Sequence, residues 1–152
     1  MTPEEIIAVL KNPSHRGDLR YLTLFLIAGK YDVSGLTALA KQEGVASQLG
    51  YLSEVAAIAS ERRGLCSKKL YELSRDLYTA NGNWQFLDPA IPVFARRIIS
   101  SGPKTDLNKK WRIWDTLGPD DIGDWISLYH IKNEHGSHQR EIPQSSGYSI
   151  GY

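Results

Sequence analysis

The chain has 152 residues, a formal net charge of +1, 41% apolar residues and 23% charged residues. This length suits one domain, and the composition is ordinary for a soluble globular protein. The longest apolar run, residues 22–29, is too short to span a membrane, so we expect no membrane partner. A single cysteine, Cys66, excludes an internal disulfide. Because no charged, apolar leader is visible, we expect a cytoplasmic location.

Apolar residues recur at helical spacing through the first half of the chain. We predict five helices there: one after a Thr2 cap that ends at Asn12, then residues 18–28, 34–43 and about 46–62, and one from a Ser67 cap to about residue 77. The second helix has the widest apolar surface, because Leu24 and Ile27 extend its inner stripe. We therefore expect it to be the most buried.

Two short segments follow a different pattern. Residues 84–87 (WQFL) and 111–114 (WRIW) alternate large apolar with polar side chains, which is typical of strands. Asp88 and Pro89 end the first segment, since proline cannot donate a ladder hydrogen bond. We predict two antiparallel strands, joined by a connection in which residues 93–100 form one or two helical turns.

The last predicted helix begins at Pro119 and runs to about His130 with one apolar side. From residue 136 onward the chain is polar and rich in Gly and Ser, which predicts a flexible tail. The predicted fold class is thus mainly α: residues 1–135 form a single helical domain with a small antiparallel β element, and residues 136–152 form the tail.

Three groups of residues are candidates for chemical sites. Three histidines and a glutamate lie close together in sequence, but their spacing differs from that of zinc-binding helices. Cys66 precedes a helix without a histidine near it in sequence. Five aspartates follow the two predicted strands or lie in the first turns of the last helix, where the alternatives are a metal site and a helix N-terminus. These groups are His130, Glu134, His135 and His138; Cys66; and Asp88, Asp115, Asp120, Asp121 and Asp124. We predict no catalytic, cofactor-binding or metal-binding residues, and no enzyme.

Residues 39–45 (LAKQEGV) match the turn of helix-turn-helix DNA readers. The match then fails, because Gly50 occupies the expected apolar anchor position and residues 46–60 contain no Lys or Arg. Simple helix packing is therefore the favoured interpretation.

Positive charge is concentrated in the middle of the chain. Residues 60–112 contain eleven Lys and Arg against five Asp and Glu, while residues 113–152 contain two against six. Such a segment indicates either a basic binding surface or a solvated surface without a partner. Its candidate nucleic-acid contacts are Arg62, Arg63, Lys68, Lys69, Arg96, Arg97, Lys104, Lys109 and Lys110.

Two ordered segments carry a resemblance. The residues are Leu87, Asp88, Pro89 and Pro92, followed by Lys110, Trp111, Arg112, Ile113 and Trp114, with residues 38–58 (ALAKQEGVASQLGYLSEVAAI) before them. Together they resemble the C-terminal domain of the abortive-infection E antitoxins, which belong to type IV toxin–antitoxin pairs. The resemblance spans roughly residues 15–120. The chain departs from the family pattern in its long connection (FARRIISSGP) and in Asp115, where an asparagine is expected.

This resemblance implies a function. Similar antitoxin domains neutralise a partner nucleotidyltransferase toxin by direct binding, without catalysis. The N-terminal winged helix of the wider family is not expected in this chain. We expect the partner-binding residues to be Arg96, Arg97, Lys109, Lys110 and Arg112, in or beside the connection, facing an acidic surface of the partner. The alternatives are a helical adaptor unrelated to toxins and a nucleic-acid-binding protein that uses the basic segment 62–112.

Overall fold

A computed structural model describes residues 1–80 and 82–133 of the chain. Over these residues the chain forms eight helices and two short strands, so the prediction of a mainly helical fold is confirmed. The helices are α1 (Pro3–Lys11), α2 (Arg16–Ala28), α3 (Val33–Gln42), α4 (Ala46–Arg62), α5 (Lys68–Leu77), α6 (Val93–Ser101), α7 (Asp106–Trp111) and α8 (Pro119–Leu128), and the strands are β1 (Gln85–Phe86) and β2 (Ile113–Trp114). The predicted tail, residues 136–152, lies outside the described residues.

Local capping explains where the first helices begin. At α1, the Thr2 hydroxyl accepts a hydrogen bond from the Glu5 amide (3.1 Å), and the Glu5 carboxylate accepts one from the Thr2 amide (2.7 Å). This reciprocal pair satisfies amides that no helical carbonyl reaches. Helix α2 begins two residues earlier than predicted, because the His15 imidazole accepts a hydrogen bond from the Gly17 amide (3.1 Å).

Helix α4 lies at the centre of the helical core. Ten of its seventeen residues are buried, against five of thirteen in α2. It packs against α2, α3, α5, α7 and α8. The prediction that the second helix is the most buried is therefore wrong. Small side chains such as Ala56 and Ala59 add little apolar area to the sequence pattern, but they let several neighbours approach α4 closely.

The two strands are parallel, so the antiparallel prediction is wrong. Gln85 pairs with Ile113 and Phe86 with Trp114. The Gln85 amide donates to the Arg112 carbonyl (2.9 Å), and the Leu87 amide donates to the Trp114 carbonyl. The reason lies in the connection: α6 and α7 together form a crossover that returns the chain to the same end of the sheet, which parallel pairing requires.

Helix α7 was not predicted, and it shortens the second strand. The Thr105 hydroxyl accepts from the Asn108 amide (3.1 Å), and the Asn108 side chain accepts from the Thr105 amide (3.0 Å), which starts the helix. Trp111 is its last residue rather than the first residue of a strand. Arg112 then ends the helix in the left-handed region (φ 54°), where its side chain donates to the Gly82 carbonyl (2.6 Å).

One apolar core connects the helices and the strand pair. It extends from Ile6 in α1 through Leu52 in α4 to Ile126 in α8, and it includes Leu87 and Ile113 beside the strand pair. Across residues 1–80 and 82–133, no helix combines the length and the apolar character that a membrane crossing requires.

Candidate functional site

Helix α6 exposes its apolar side chains to solvent. The exposed fractions of Val93, Phe94 and Ile98 are 68%, 71% and 67%, and no residue of α6 is buried. Phe94 and Ile98 are four residues apart, so they lie on the same side of the helix. We call Val93, Phe94 and Ile98 the α6 surface. Large apolar side chains that are grouped in this way mark binding sites more often than isolated ones do.

Long cationic side chains hold both ends of α6 in place. At the start, the Arg96 guanidinium donates to the carbonyls of Ile91 (2.9 Å) and Pro89 (2.7 Å). At the end, the Lys104 ammonium donates to the carbonyls of Ser100 (2.6 Å) and Gly102 (2.8 Å). The Lys104 bonds satisfy carbonyls that the C-terminal end of a helix leaves without a partner, and the Arg96 bonds tie the start of α6 to the residues that precede it. Both ends of α6 are therefore hydrogen-bonded to flanking residues of the same connection, although α6 buries no side chain.

An aromatic cluster connects α6 to the strand pair. The rings of Trp84 and Trp114 are stacked at 5.5 Å between centroids, and Phe86 lies 4.8 Å from Trp114. The Arg96 guanidinium lies 5.4 Å from the centre of the Phe86 ring. All three rings are half-buried. The cluster therefore contacts α6 through Arg96, while part of the ring area still faces solvent.

A pocket of about 200 Å³ opens between the end of α6 and β2. Ile98 belongs to both the α6 surface and the pocket wall. The lining residues are Ile98, Ile99, Gly102, Pro103, Lys104, Asn108, Trp114, Asp115 and Thr116. The pocket therefore extends from the α6 surface to the buried side chains of Asn108 and Asp115.

An ion pair between a half-exposed arginine and a buried carboxylate lies next to this pocket. The Arg16 guanidinium, at the start of α2, donates to both carboxylate oxygens of Asp115, with one N–O distance of 2.9 Å. A second carboxylate, Asp88, lies 3.8 Å from the same guanidinium. Although burial lowers the pKa of Arg16, its hydrogen bonds to Asp115 and the two negative charges raise that pKa above its ordinary value. Arg16 thus joins the residues that follow β1 and β2 to the helical core.

Asn108 connects the same region to α4. Its side-chain amide donates to the carbonyls of Ile113 (3.1 Å) and Asp115 (3.3 Å) and to the Tyr51 hydroxyl (3.3 Å). The Tyr51 hydroxyl donates in turn to the Leu117 carbonyl. Burial raises the pKa of Tyr51 well above its ordinary value, which keeps this hydroxyl protonated as a donor. The network holds β2 against the core.

The five predicted partner-binding residues divide into two groups. Arg96 and Arg112 donate to backbone carbonyls, and Lys110 pairs with Glu54 (2.9 Å), so these three cations serve the fold. The exposed side chains of Arg97 and Lys109 have no hydrogen bond or ion pair with any residue in the described part of the chain. Their charge is available to a partner.

The aspartates that were weighed as a metal site have other partners. Asp121 caps α8 by accepting from the Gly118 amide (2.9 Å), as the helix-terminus alternative requires. Asp120 and Asp124 lie near Arg62 (3.4 Å) and Arg63 (3.7 Å) at the end of α4. Within the described ranges, no three His, Cys, Asp or Glu side chains group closely enough to hold a metal ion.

The remaining candidates are placed as follows. Cys66 is half-buried, and its backbone exchanges hydrogen bonds with the Asn133 side chain (3.1 and 3.0 Å). His130 is exposed with a positive φ of 52°, while Glu134, His135 and His138 lie outside the described residues. The helix-turn-helix match places α4 as the reading helix. Because Gly50 packs against the Trp111 ring and most of α4 is buried, α4 has no free side for a DNA groove.

Sequence reasoning missed two parts of the site. Phe94 and Ile98 have the four-residue spacing of one helix side, and this spacing is the sequence signal for an exposed apolar surface beside Arg96 and Arg97. No local signal identifies Arg16, because it lies 99 residues from Asp115 in the chain. Comparisons with protein-family models, curated proteins and solved structures give no match for this chain.

Proposed function

We propose that this protein acts by binding another protein through the α6 surface, without catalysing a reaction. The observation that carries this proposal is the exposure of Phe94 and Ile98 on a helix whose two ends are hydrogen-bonded to their flanking residues. A helix that is already held by such bonds loses less conformational freedom when a partner covers it, so burial of its apolar area contributes more fully to binding. Interfaces use aromatic anchors of this kind.

We propose further that the partner is a nucleotidyltransferase-like toxin and that this chain neutralises it, as an antitoxin does. The support is the resemblance to the abortive-infection E antitoxins, whose matching residues flank α6: Leu87 to Pro92 precede it, and Lys110 to Trp114 follow it. A nucleotidyltransferase carries metal-binding carboxylates. The free cations Arg97 and Lys109 complement such an acidic surface and would steer association.

Nucleic acid is the second candidate partner, and the charge pattern favours it less. Several cations of the segment 62–112 are neutralised within the chain: Arg62 by Asp120, Arg63 by Asp124, and Lys110 by Glu54. Each of these is less available to release a counterion from a phosphate. An apolar surface such as Phe94 and Ile98 also adds nothing to phosphate binding.

The experiment is a growth assay in which this chain is co-expressed with a nucleotidyltransferase-like toxin encoded beside it. The test variant replaces Phe94 and Ile98 by serine. The matched control is Leu128→Ser, since Leu128 is 67% exposed on α8, as Ile98 is on α6. We expect the wild type and the control to relieve growth arrest and to co-purify with the toxin, and the double variant to do neither at an unchanged melting temperature.

Other outcomes contradict the proposal at different levels. Growth arrest that the wild type does not relieve, with no complex on co-purification, removes the antitoxin function. A complex with an unrelated protein that depends on Phe94 and Ile98 supports the adaptor alternative instead. Duplex DNA binding at ~50 mM salt that weakens steeply with added salt, and that is unaffected by the double variant, supports the nucleic-acid alternative.

A further inference from the structure

The size of the pocket beside α6 limits what it can hold. Its volume is about 200 Å³. Sites for cofactors and drug-sized ligands occupy about 300–1,000 Å³, whereas an apolar cavity of about 150 Å³ holds one benzene ring. The pocket therefore has room for one apolar side chain, such as that of Phe or Leu, and is too small for a nucleotide.

The charged and amide groups of the pocket wall already have partners. Lys104 donates to two backbone carbonyls at the end of α6. Asn108 donates to three oxygens, and the carboxylate of Asp115 accepts from Arg16 and from the Leu117 amide (2.8 Å). A polar ligand would find few free hydrogen-bonding groups here. Ile98, Ile99, Pro103 and Trp114 supply the contact area for an apolar one.

Positive charge in the segment that forms the pocket favours an acidic neighbour for that side chain. Residues 93–116 contain six Lys and Arg against two Asp. One of the two, Asp115, is neutralised by Arg16. The exposed cations Arg97 and Lys109 lie on α6 and α7, the two helices that contribute Ile98 and Asn108 to the pocket wall. A segment with carboxylates on each side of an apolar residue would complement this arrangement.

We propose that the pocket receives one apolar side chain of a partner segment, with acidic residues beside that side chain. The proposal rests on the proposed function, because it describes how the partner engages the α6 surface. Ile98 belongs to both the α6 surface and the pocket wall. The partner covers the exposed side of Ile98 and inserts its apolar side chain between Ile98 and Trp114. Thr116, which is exposed at the pocket, is the natural place to block the anchor.

The test uses the full chain and three short peptides with blocked ends. The first has the sequence Glu-Glu-Phe-Glu-Glu, the second replaces Phe by Ser, and the third replaces each Glu by Lys. Binding is followed by two-dimensional amide NMR at ~50 mM salt, where charge attraction is only partly screened. Thr116→Phe should fill the pocket from its mouth, and Gln42→Phe, at an exposed position of α3, is the matched control.

We expect the first peptide to shift the amide signals of Ile98, Ile99, Trp114 and Thr116. The Ser peptide and the Lys peptide should each bind at least about tenfold more weakly, because one lacks the buried apolar group and the other reverses the charge. Thr116→Phe should remove binding of the first peptide, and Gln42→Phe should leave it unchanged. Both variants should retain the melting temperature of the wild type.

Four results overturn the proposal. They are an absence of shifts with the first peptide on the wild type, equal binding of the Glu and Lys peptides, shifts confined to another part of the chain, and a dimer of this chain that Thr116→Phe dissociates. These results can be told apart from a failure of the proposed function by comparing toxin binding of the variants. If Phe94→Ser with Ile98→Ser abolishes toxin binding while Thr116→Phe does not, the α6 surface stands as the interface and the pocket proposal fails.

Discussion

Replacing Arg16 by methionine should destabilise the protein more than its position near the surface suggests. The guanidinium is half-exposed, but the Asp115 side chain that it contacts is 0% exposed and that of Asp88 is 9% exposed. Methionine keeps most of the length and removes the charge. Two carboxylates then remain close to the core without a cation between them.

The size of the loss in free energy of unfolding depends on which charged group is left without its partner. Removing one member of a fully buried ion pair costs about 3–5 kcal/mol, because the other charge stays uncompensated. Water reaches the exposed half of Arg16, so we expect the lower end, about 2–3 kcal/mol. Asp115→Asn in the wild type should cost less, since Arg16 is then free to be hydrated. The double variant should lose about 1–2 kcal/mol less free energy of unfolding than the sum of the losses in the two single variants.

The assay is urea unfolding followed by tryptophan fluorescence and by circular dichroism, in the wild type, both single variants and the double variant. Arg62→Met is the matched control, because Arg62 pairs with Asp120 at 3.4 Å on an exposed surface. A surface pair of this kind contributes about 0–1 kcal/mol. Linear extrapolation to water gives the free energy of unfolding of each variant.

The reasoning is refuted if Arg16→Met costs no more than Arg62→Met. It is refuted equally if the two single changes are additive in the double variant, because additivity would mean that Arg16 and Asp115 do not interact. A cost that disappears at high salt would show that dissolved ions screen this pair as they screen a surface pair, and would contradict the expectation.

Further predictions concern the core and the alkaline range. A methyl group on Gly50 would overlap the Trp111 ring, so Gly50→Ala should cost about 1–3 kcal/mol in urea unfolding, and an unchanged midpoint would contradict this packing. Asn108→Ala should cost about 1–3 kcal/mol in the same assay, because it leaves buried oxygens without a donor. Burial and a hydrogen bond with Glu61 raise the pKa of Tyr71 to about 12 from 10.0. The unfolded chain therefore loses this proton first, stability falls between pH 10 and 12, and Tyr71→Phe should make that fall shallower in thermal unfolding; an equally steep fall would refute it.

Seven of the eight helices in the described part of the chain were predictable, because their causes are local. The start of α1 follows from the Thr2 cap, and the extent of α4 follows from apolar spacing, and these act in the same way whatever surrounds them. The first strand ends at Phe86, one residue before the predicted end of the segment at Leu87, and Asp88 and Pro89 follow it as expected. For the same local reason, the aromatic alternation correctly marked Phe86 and Trp114 as strand residues.

Strand direction and the buried charges depend on the path of the chain through space. The pairing of Gln85 with Ile113 became parallel because α6 and α7 turn the connection into a crossover, and the aromatic alternation of each strand is the same in either direction. The contact of Arg16 with Asp115 joins residues that are far apart in sequence, so no spacing rule identifies it. It also gives Asp115, in place of the expected asparagine, a cation to pair with.

The sequence predicted helical turns at residues 93–100, and the spacing of Phe94 and Ile98 places both side chains on one side of a helix there. That this side faces solvent follows from the fold, because burial depends on which neighbours remain to cover a helix. The helical core is already closed around α4, and α6 lies outside it beside the strand pair. The same periodicity that places Leu52 in the core therefore leaves the α6 surface open to a partner.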